Sequence, residues 1–410
     1  MRLSIIICVY NTDKKLLSEC LESIKNSTLI EIADGYEICM IDDGSTGDYS
    51  VIAKKYGARL KKTENRGIFA ARAMGLSMAK GDFVCFCDSD DTVSHNYYLP
   101  MLHLAEKENT DIVINGWANR TRRTAYYPSD DETVTKNLDL SGKDKLGKFF
   151  EYEGRYHSFY VLWNKLYRTE LLRESFENIR ASEYRGCSYA EDAVINFFAF
   201  RDANRIKNIH TGFYFYRIHP DQSVSVESEE KLRSQILGMS ESFRVMKESL
   251  PENADKKAHL ARISKWEALM AKTHLAVALN FGFSSLLPLI EEKYGFKISK
   301  LKKIKIKEHK GNILLPTNFK KIDSALFNVF KSDIPPSVKY DKKDAYAESC
   351  MRRMIANGKA IYKNKKADLE IPKARIPLKM RIIHNPRVYR IGTHLFKKGS
   401  KSRRFLKRFF

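Results

Sequence analysis

Along the first hundred positions, short and nearly continuous apolar runs alternate with segments whose apolar residues recur three and four apart. Residues 3–9, 36–41 and 82–87 are such runs, rich in Ile, Val, Phe and Cys. A strand shows its side chains alternately on two faces, so a run without polar alternation predicts a strand buried on both. Between the runs, LLSECLESIKN (16–26) and IFAARAMGLSMAK (68–80) have the helical spacing. Strands alternating with helices imply parallel strands joined by right-handed crossovers, a doubly wound, mostly parallel α/β sheet flanked by helices.

The pattern continues with a helix over 96–109 and a strand over 111–118. Residues 119–156 are polar and irregular, as expected of a functional loop or inserted flap. WNKLYR (163–168), a helix opening at EDAVINFFAF (191–200) and a strand pair, RIKNIH and FYFYRIH (205–219), follow. Helical periodicity returns over 231–250 and 259–280. The expected organisation is an α/β domain over 1–226, in halves of 1–118 and 119–226, a mainly helical region over 227–335, and a separate segment over 336–410.

Charge sets that last segment apart. The net charge is +22, yet residues 1–300 hold 42 Lys/Arg against 42 Asp/Glu, while residues 301–410 hold 30 against 8. Anionic partners are therefore expected of the tail only. From Lys359 to Phe410, 17 basic residues stand against 2 acidic ones, interleaved with Ile, Leu, Tyr and Phe. Such mixing suits an interfacial segment on anionic lipid, and it would also suit single-stranded nucleic acid, the less favoured partner.

Seven cysteines without a CxxC, several inside apolar runs, read as buried thiols of a reducing compartment, hence a cytoplasmic protein. The apolar run in MRLSIIICVYN is too short for a secretory signal. The uncharged span 273–290 carries His274, Asn280 and Pro288 and falls short of the roughly 20 apolar residues a membrane span needs, so it is expected to be a buried helix.

In an open α/β sheet, ligands bind beyond the carboxyl ends of the strands. Those ends here are VYN (9–11), DDGST (42–46) and DSDD (88–91). Asp88, Asp90 and Asp91 at one strand end repel one another unless a positive group joins them, and a hard divalent cation with oxygen ligands would do so. A helix N-cap would need only one acid. The string DSDDT fits the DxDxT of haloacid-dehalogenase-like phosphatases and equally the DxD of nucleotide-sugar transferases.

The order of motifs separates these. SIIICVYN, IDDGST, NRG (65–67), ARAMGL and GDFVCFCDSDD follow one another as in glycosyltransferase family 2, which the chain resembles over about residues 1–225. In the phosphatases the acidic motif follows the first strand, whereas here it follows the third. The resemblance implies a GT-A fold and an inverting transfer from a nucleoside-diphosphate sugar, with 1–118 as the nucleotide-sugar half and 119–226 as the acceptor half. The alternatives are a phosphatase built on DSDDT and a non-enzymatic lipid- or nucleic-acid-binding protein.

What the resemblance implies residue by residue is as follows. Asp90, with Asp88 or Asp91, would hold Mn²⁺ or Mg²⁺, and His219 would touch metal or phosphate. Asp43 would accept a hydrogen bond from the nucleobase, which suits the imide of uracil and a UDP-sugar. Val9, Tyr10, Asn11, Asn65, Gly67, Asp88 and Ser89 would line the donor site, Arg72 would reach the nucleotide, and Arg217 and Ser223 would hold the diphosphate. Ala73 stands where the family commonly has Asn. Asp192 would be the base and Glu191 an acceptor contact. In WNKLYR, Trp163 would stack on a sugar, with Asn164 and Lys165 beside it. The acceptor would be a cell-surface glycan or lipid-linked glycan, and the tail would hold the protein peripherally at the inner face of the membrane.

Overall fold

Four strands build the parallel part of the sheet: β1 (Leu3–Val9), β2 (Tyr36–Asp43), β3 (Arg59–Thr63) and β4 (Phe83–Phe86). Strand β1 pairs in parallel with β2 on one side and β4 on the other, and β3 lies outside β2. The chain therefore reverses direction across the sheet after β3. That reversal opens the crevice beyond the carboxyl ends of β1 and β4 where ligands of such sheets bind. The computed structural model describes residues 2–27, 29, 35–120, 125–126, 138–141, 144–151, 157–184, 189–217 and 228–295. The chain divides into two units, Met1–Lys366 and Ala367–Phe410, and every described residue belongs to the first.

The nearly continuous apolar runs are explained by cover on both faces. Leu3, Ile5, Ile7 and Val9 pack with Leu17, Cys20, Leu21 and Ile24 of the helix Lys14–Lys25 on one face. Ile6 turns the other way and meets Ala71 and Leu76 of the helix Ile68–Met78. That helix lies flush on the sheet because Gly75 has no side chain: a Cβ there would stand 2.4 Å from Ile6 Cγ2 and 2.9 Å from Ile41 Cδ1.

Beyond β4 the sheet becomes mixed. The further strands are β5 (Thr92–Val93), β6 (Ile112–Arg120), β7 (Ala125–Tyr126), β8 (Asp139–Ser141), β9 (Lys165–Arg168) and β10 (Arg205–Arg217). The order along the sheet is β3-β2-β1-β4-β9-β6-β10-β5, with β7 on β6 and β8 on β10. Strand β9 runs antiparallel to both neighbours, β4 and β6, while β6 and β10 are parallel. The expected strand pair at 205–219 is one strand whose register shifts between Asn208 and Phe213.

Among the elements that the apolar pattern did not anticipate are the helices Ser50–Tyr56 and Thr169–Ala181 and the strand β3, the last an edge strand with mostly exposed or half-exposed residues. The anticipated helices appear as Tyr98–Glu108, Glu191–Asp202, Glu229–Glu248 and Lys256–Phe281. The uncharged span of 273–290 ends the last of these and continues through Ser284–Leu286 into the helix Leu287–Tyr294. Among the described residues no helix is long and apolar enough to cross a membrane. Phe243, Trp266 and Leu275 of the later helices share one core with Phe197 and Phe200 of Glu191–Asp202, so these helices buttress the back of the α/β layer.

Candidate functional site

The carboxyl ends of β1 and β2 are laced together. Asn11 takes φ 50°, which Asn tolerates better than most residues. Its N–H donates to Ser45 Oγ at 2.9 Å, and its Oδ1 accepts from Thr46 N and Oγ1, both at 3.0 Å. Buried Asp42 accepts from Ser45 N at 2.8 Å. Asp43 Oδ1 accepts from Arg66 N at 2.9 Å, which ties DDGS to the NRG loop. Gly44, at φ 78°, makes this approach possible, since a Cβ there would stand 2.5 Å from Asn65 N. Asn65 accepts from Gly67 N at 3.2 Å, and Gly67 begins the helix Ile68–Met78. Tyr10 is 55% exposed at this rim, while the Val9 side chain belongs to the core.

The DSDD corner is crosslinked to β10. Tyr214 donates its hydroxyl to Asp91 Oδ2 at 2.7 Å and accepts from Asp88 N at 3.0 Å. Arg217 donates its backbone N–H to Asp91 Oδ1 at 2.6 Å, its Nε to the Asp90 carbonyl at 2.7 Å, and its Nη2 to Glu19 Oε2 at 2.7 Å. Ser89 and Thr12 share a hydroxyl hydrogen bond of 2.7 Å. Asp91 is thus an internal brace, 1% exposed, and burial followed by the charges of Asp90 and Asp88 holds its pKa well above the carboxylate range.

Asp88 and Asp90 are half-buried and differ from Asp91 in this. Burial pushes Asp88 up to about 7, with Arg72 opposing and the charges of Asp90 and Asp192 adding to the rise. A corner that disfavours its own charge in this way suits a cation. Among the described residues no group of three or more His, Cys, Asp or Glu is placed to hold a metal ion. Two carboxylates are nevertheless the protein share usual for Mg²⁺ when a substrate's phosphates complete the shell, so the donor set fits a hard divalent ion held by Asp88 and Asp90. The expected third acid, Asp91, faces Tyr214 and Arg217 instead.

The base candidate and the acidic corner meet at one guanidinium. Arg72 lies on the helix Ile68–Met78 with its side chain 6% exposed. It hydrogen-bonds Glu191, lies 3.6 Å from Asp192 Oδ1, and lies 3.7 Å from Asp88 Oδ1. Glu191 is equally buried and is pushed up to about 8 by burial first and Asp192 second, against the pull of Arg72. Asp192 is 25% exposed. The helix Glu191–Asp202 is buried along most of its length, with Asn196 donating to the Asp192 carbonyl at 3.0 Å and accepting from Tyr167 at 2.7 Å. Its start is therefore fixed in place.

Several expected contacts sit elsewhere. Arg72, expected to reach the nucleotide, is enclosed by three carboxylates. Trp163 is buried, stacked on Tyr214 at 4.4 Å and on Tyr216 at 5.7 Å, and so backs the strand that braces Asp91. Asn164 and Lys165 are wholly buried, with Lys165 Nζ donating to Asn164 Oδ1 at 2.9 Å and to the Val161 carbonyl. The Trp-Asn-Lys run is occupied in the core because β9 passes between β4 and β6. Sequence reasoning missed Tyr214, Glu19 and Thr12; the period-two aromatics of FYFY were the one available sign that Tyr214 faces inward. His219 and Ser223 lie outside the described residues.

Residues 4–176 match the family model "Glycosyl transferase family 2". EpsH of Bacillus subtilis is 32% identical over 226 residues, 53% of this chain and 60% of EpsH. The uncharacterised glycosyltransferase EpsJ of the same organism is 30% identical over 229 residues, 54% of this chain and 63% of EpsJ. The chain thus spans about three fifths of the length of these curated relatives. The crystal structure of S. aureus TarS 1-349 superposes with a TM-score of 0.50 at 18% identity, covering 88% of this chain and 90% of that one, a likeness of fold.

Proposed function

We propose, from the match of residues 4–176 to the glycosyltransferase family 2 model together with the geometry at Arg72, that the protein is an inverting glycosyltransferase. It takes a sugar from a nucleoside-diphosphate sugar, a UDP-sugar, to a cell-surface polysaccharide or glycolipid acceptor. The observation that carries this reading is the pair of contacts on Arg72, 3.7 Å to Asp88 and 3.6 Å to Asp192. One buried cation thereby holds an acid of the leaving-group corner beside a half-exposed acid suited to act as base. Inverting transfer requires that pairing, because the acceptor hydroxyl must lose its proton as the diphosphate departs on the other side of the sugar.

Asp192 takes the proton of the acceptor hydroxyl. Asp43 accepts the imide N–H of uracil, and the loops of Asn11, Asn65 and Gly67 shape the nucleotide cleft around the exposed ring of Tyr10. Mn²⁺ or Mg²⁺, held by Asp88 and Asp90, would neutralise the charge that develops on the departing diphosphate. Arg217, placed by Glu19 and Asp91, stands beside that diphosphate.

The chain is organised on this reading as a catalytic domain over 1–226, a helical region over 227–335, and a basic segment over 336–410 that holds the protein peripherally at the inner face of the membrane. The test is a panel of nucleotide sugars with purified protein and Mn²⁺, following release of the nucleoside diphosphate. Release from at least one donor, lost in Asp192→Asn, is the expected result. Silence on every donor overturns the reading.

A further inference from the structure

We propose that Glu191 and Arg72 form a buried positioning pair, in which Glu191 anchors the Arg72 guanidinium so that it holds the Asp192 carboxylate in place beside Asp88. The inference rests on the transferase reading above. It assigns Glu191 a role other than acceptor contact and Arg72 a role other than nucleotide contact.

The first support is burial. The side chains of Arg72 and Glu191 are each 6% exposed, against 25% for Asp192 and 36% for Asp88. Successive residues of an α-helix point about 100° apart, so a helix start can send Glu191 inward and Asp192 toward the cleft. A side chain as covered as Glu191 has no surface to offer an acceptor glycan.

The second is charge. One guanidinium faces three carboxylates, and its direct hydrogen bond goes to Glu191. Moving Arg72 away to bind a nucleotide would leave these acids close together with no cation among them and strand Glu191 in the interior, which is strongly disfavoured. Arg72 therefore stays where it is. Its fork of donors can serve Glu191 and the two cleft acids together, as a lysine's single ammonium could not.

The third is rigidity. Arg72 is carried by the helix whose Gly75 lies against Ile6 and Ile41 of the sheet, and Glu191 by a helix buried along most of its length. Both supports are packed against the core, so the pair transmits position. Mislocating a reacting group by about 1 Å can cost about a hundredfold in rate.

The experiment compares the full chain with Glu191→Gln, Arg72→Lys and the double variant. It measures kcat and KM for Mn²⁺-dependent hydrolysis of the donor that the panel identifies, and UDP binding by calorimetry. Expected for Glu191→Gln is a fall in kcat of about 10- to 100-fold with donor KM within about threefold and UDP binding kept, since Glu191 touches neither nucleotide nor acidic corner. The double variant should be no slower than Arg72→Lys alone, because residues acting through one contact are not additive.

An unchanged kcat in Glu191→Gln, or losses that multiply in the double variant, overturns the positioning pair and leaves the transferase intact. A wild-type protein inactive on every donor overturns both. Should Glu191→Gln fail to fold, seen as lost UDP binding, Arg72→Lys decides by the same split: a raised donor KM at unchanged kcat would mean nucleotide contact and sink the proposal.

Discussion

The hydroxyl of Tyr214 donates to Asp91 at 2.7 Å while accepting the N–H of Asp88 at 3.0 Å, so one phenol on β10 sets the shape of the acidic corner. Tyr214→Phe removes both bonds and leaves a buried carboxyl one partner short. The expected cost is about 1–3 kcal/mol of stability, the usual range for a stranded buried polar group, read in chemical denaturation. Mn²⁺-dependent UDP binding should weaken as well, because the Asp88 backbone loses its tether. A variant as stable and as avid as wild type would show that Asp91 and Asp88 do not depend on this phenol.

The same corner makes the ligand-free protein sensitive to pH. Asp88 is raised from 3.8 to about 7 and Glu191 from 4.5 to about 8, in both cases chiefly by burial. A carboxyl raised on folding binds more protons in the native state than in the unfolded chain, so stability falls as pH rises between the two values. Thermal stability without metal or nucleotide should therefore decline from about pH 5 to about pH 8, and Asp88→Asn should flatten part of that slope. A melting temperature that climbs over this interval would contradict the upward shifts of half-buried Asp88 and buried Glu191.

What could be read in advance divides along physical lines. Strands β1, β2 and β4 are sandwiched between helices, so their runs Leu3–Val9, Tyr36–Asp43 and Phe83–Phe86 are apolar apart from Ser4, Glu37 and the strand-end acids Asp42 and Asp43, and their order showed where the acids would gather. Strand β3, with Arg59, Lys61 and Lys62, is an edge strand; charge there protects against edge-to-edge pairing and hides the strand from any hydrophobic pattern. The direction of β9 leaves no mark in KLYR, because pairing sense is decided by partners far along the chain. For the same reason the clustering of Asp43, Asp88 and Asn11 at strand ends was legible, whereas the contact of Arg72 with Glu191 across 119 residues was not. Trp163 shows the opposite error: a tryptophan near a site invites a sugar, and here it stacks on Tyr214 inside the core.

Gly75 offers a test of the platform beneath Arg72. In Gly75→Ala the new methyl would meet Ile6 Cγ2 at 2.4 Å and Ile41 Cδ1 at 2.9 Å, both on buried strands with little room to retreat. Overpacking of this kind costs about 1–3 kcal/mol. The helix Ile68–Met78 must lift, carrying Arg72 with it, so turnover should fall more than UDP binding does. Unchanged stability and turnover would mean the helix does not rest on the sheet at this point.

The acidic corner itself predicts a change of sign that few other arrangements would produce. Without a divalent ion, Asp88 and Asp90 repel a diphosphate, and neutralising either acid should strengthen UDP binding modestly. On the proposed reading the same carboxylates hold Mn²⁺ when it is present, and Asp88→Asn or Asp90→Asn should then weaken UDP binding by about tenfold or more, the equivalent of about 1.4 kcal/mol. Asp91→Asn differs in kind: Asp91 is buried against Tyr214 and Arg217, so its loss should appear first as reduced stability. Calorimetric titration of UDP with and without Mn²⁺ separates these outcomes. Weakening of equal size in both conditions would show that Asp88 and Asp90 serve the nucleotide directly and would remove the metal from the corner.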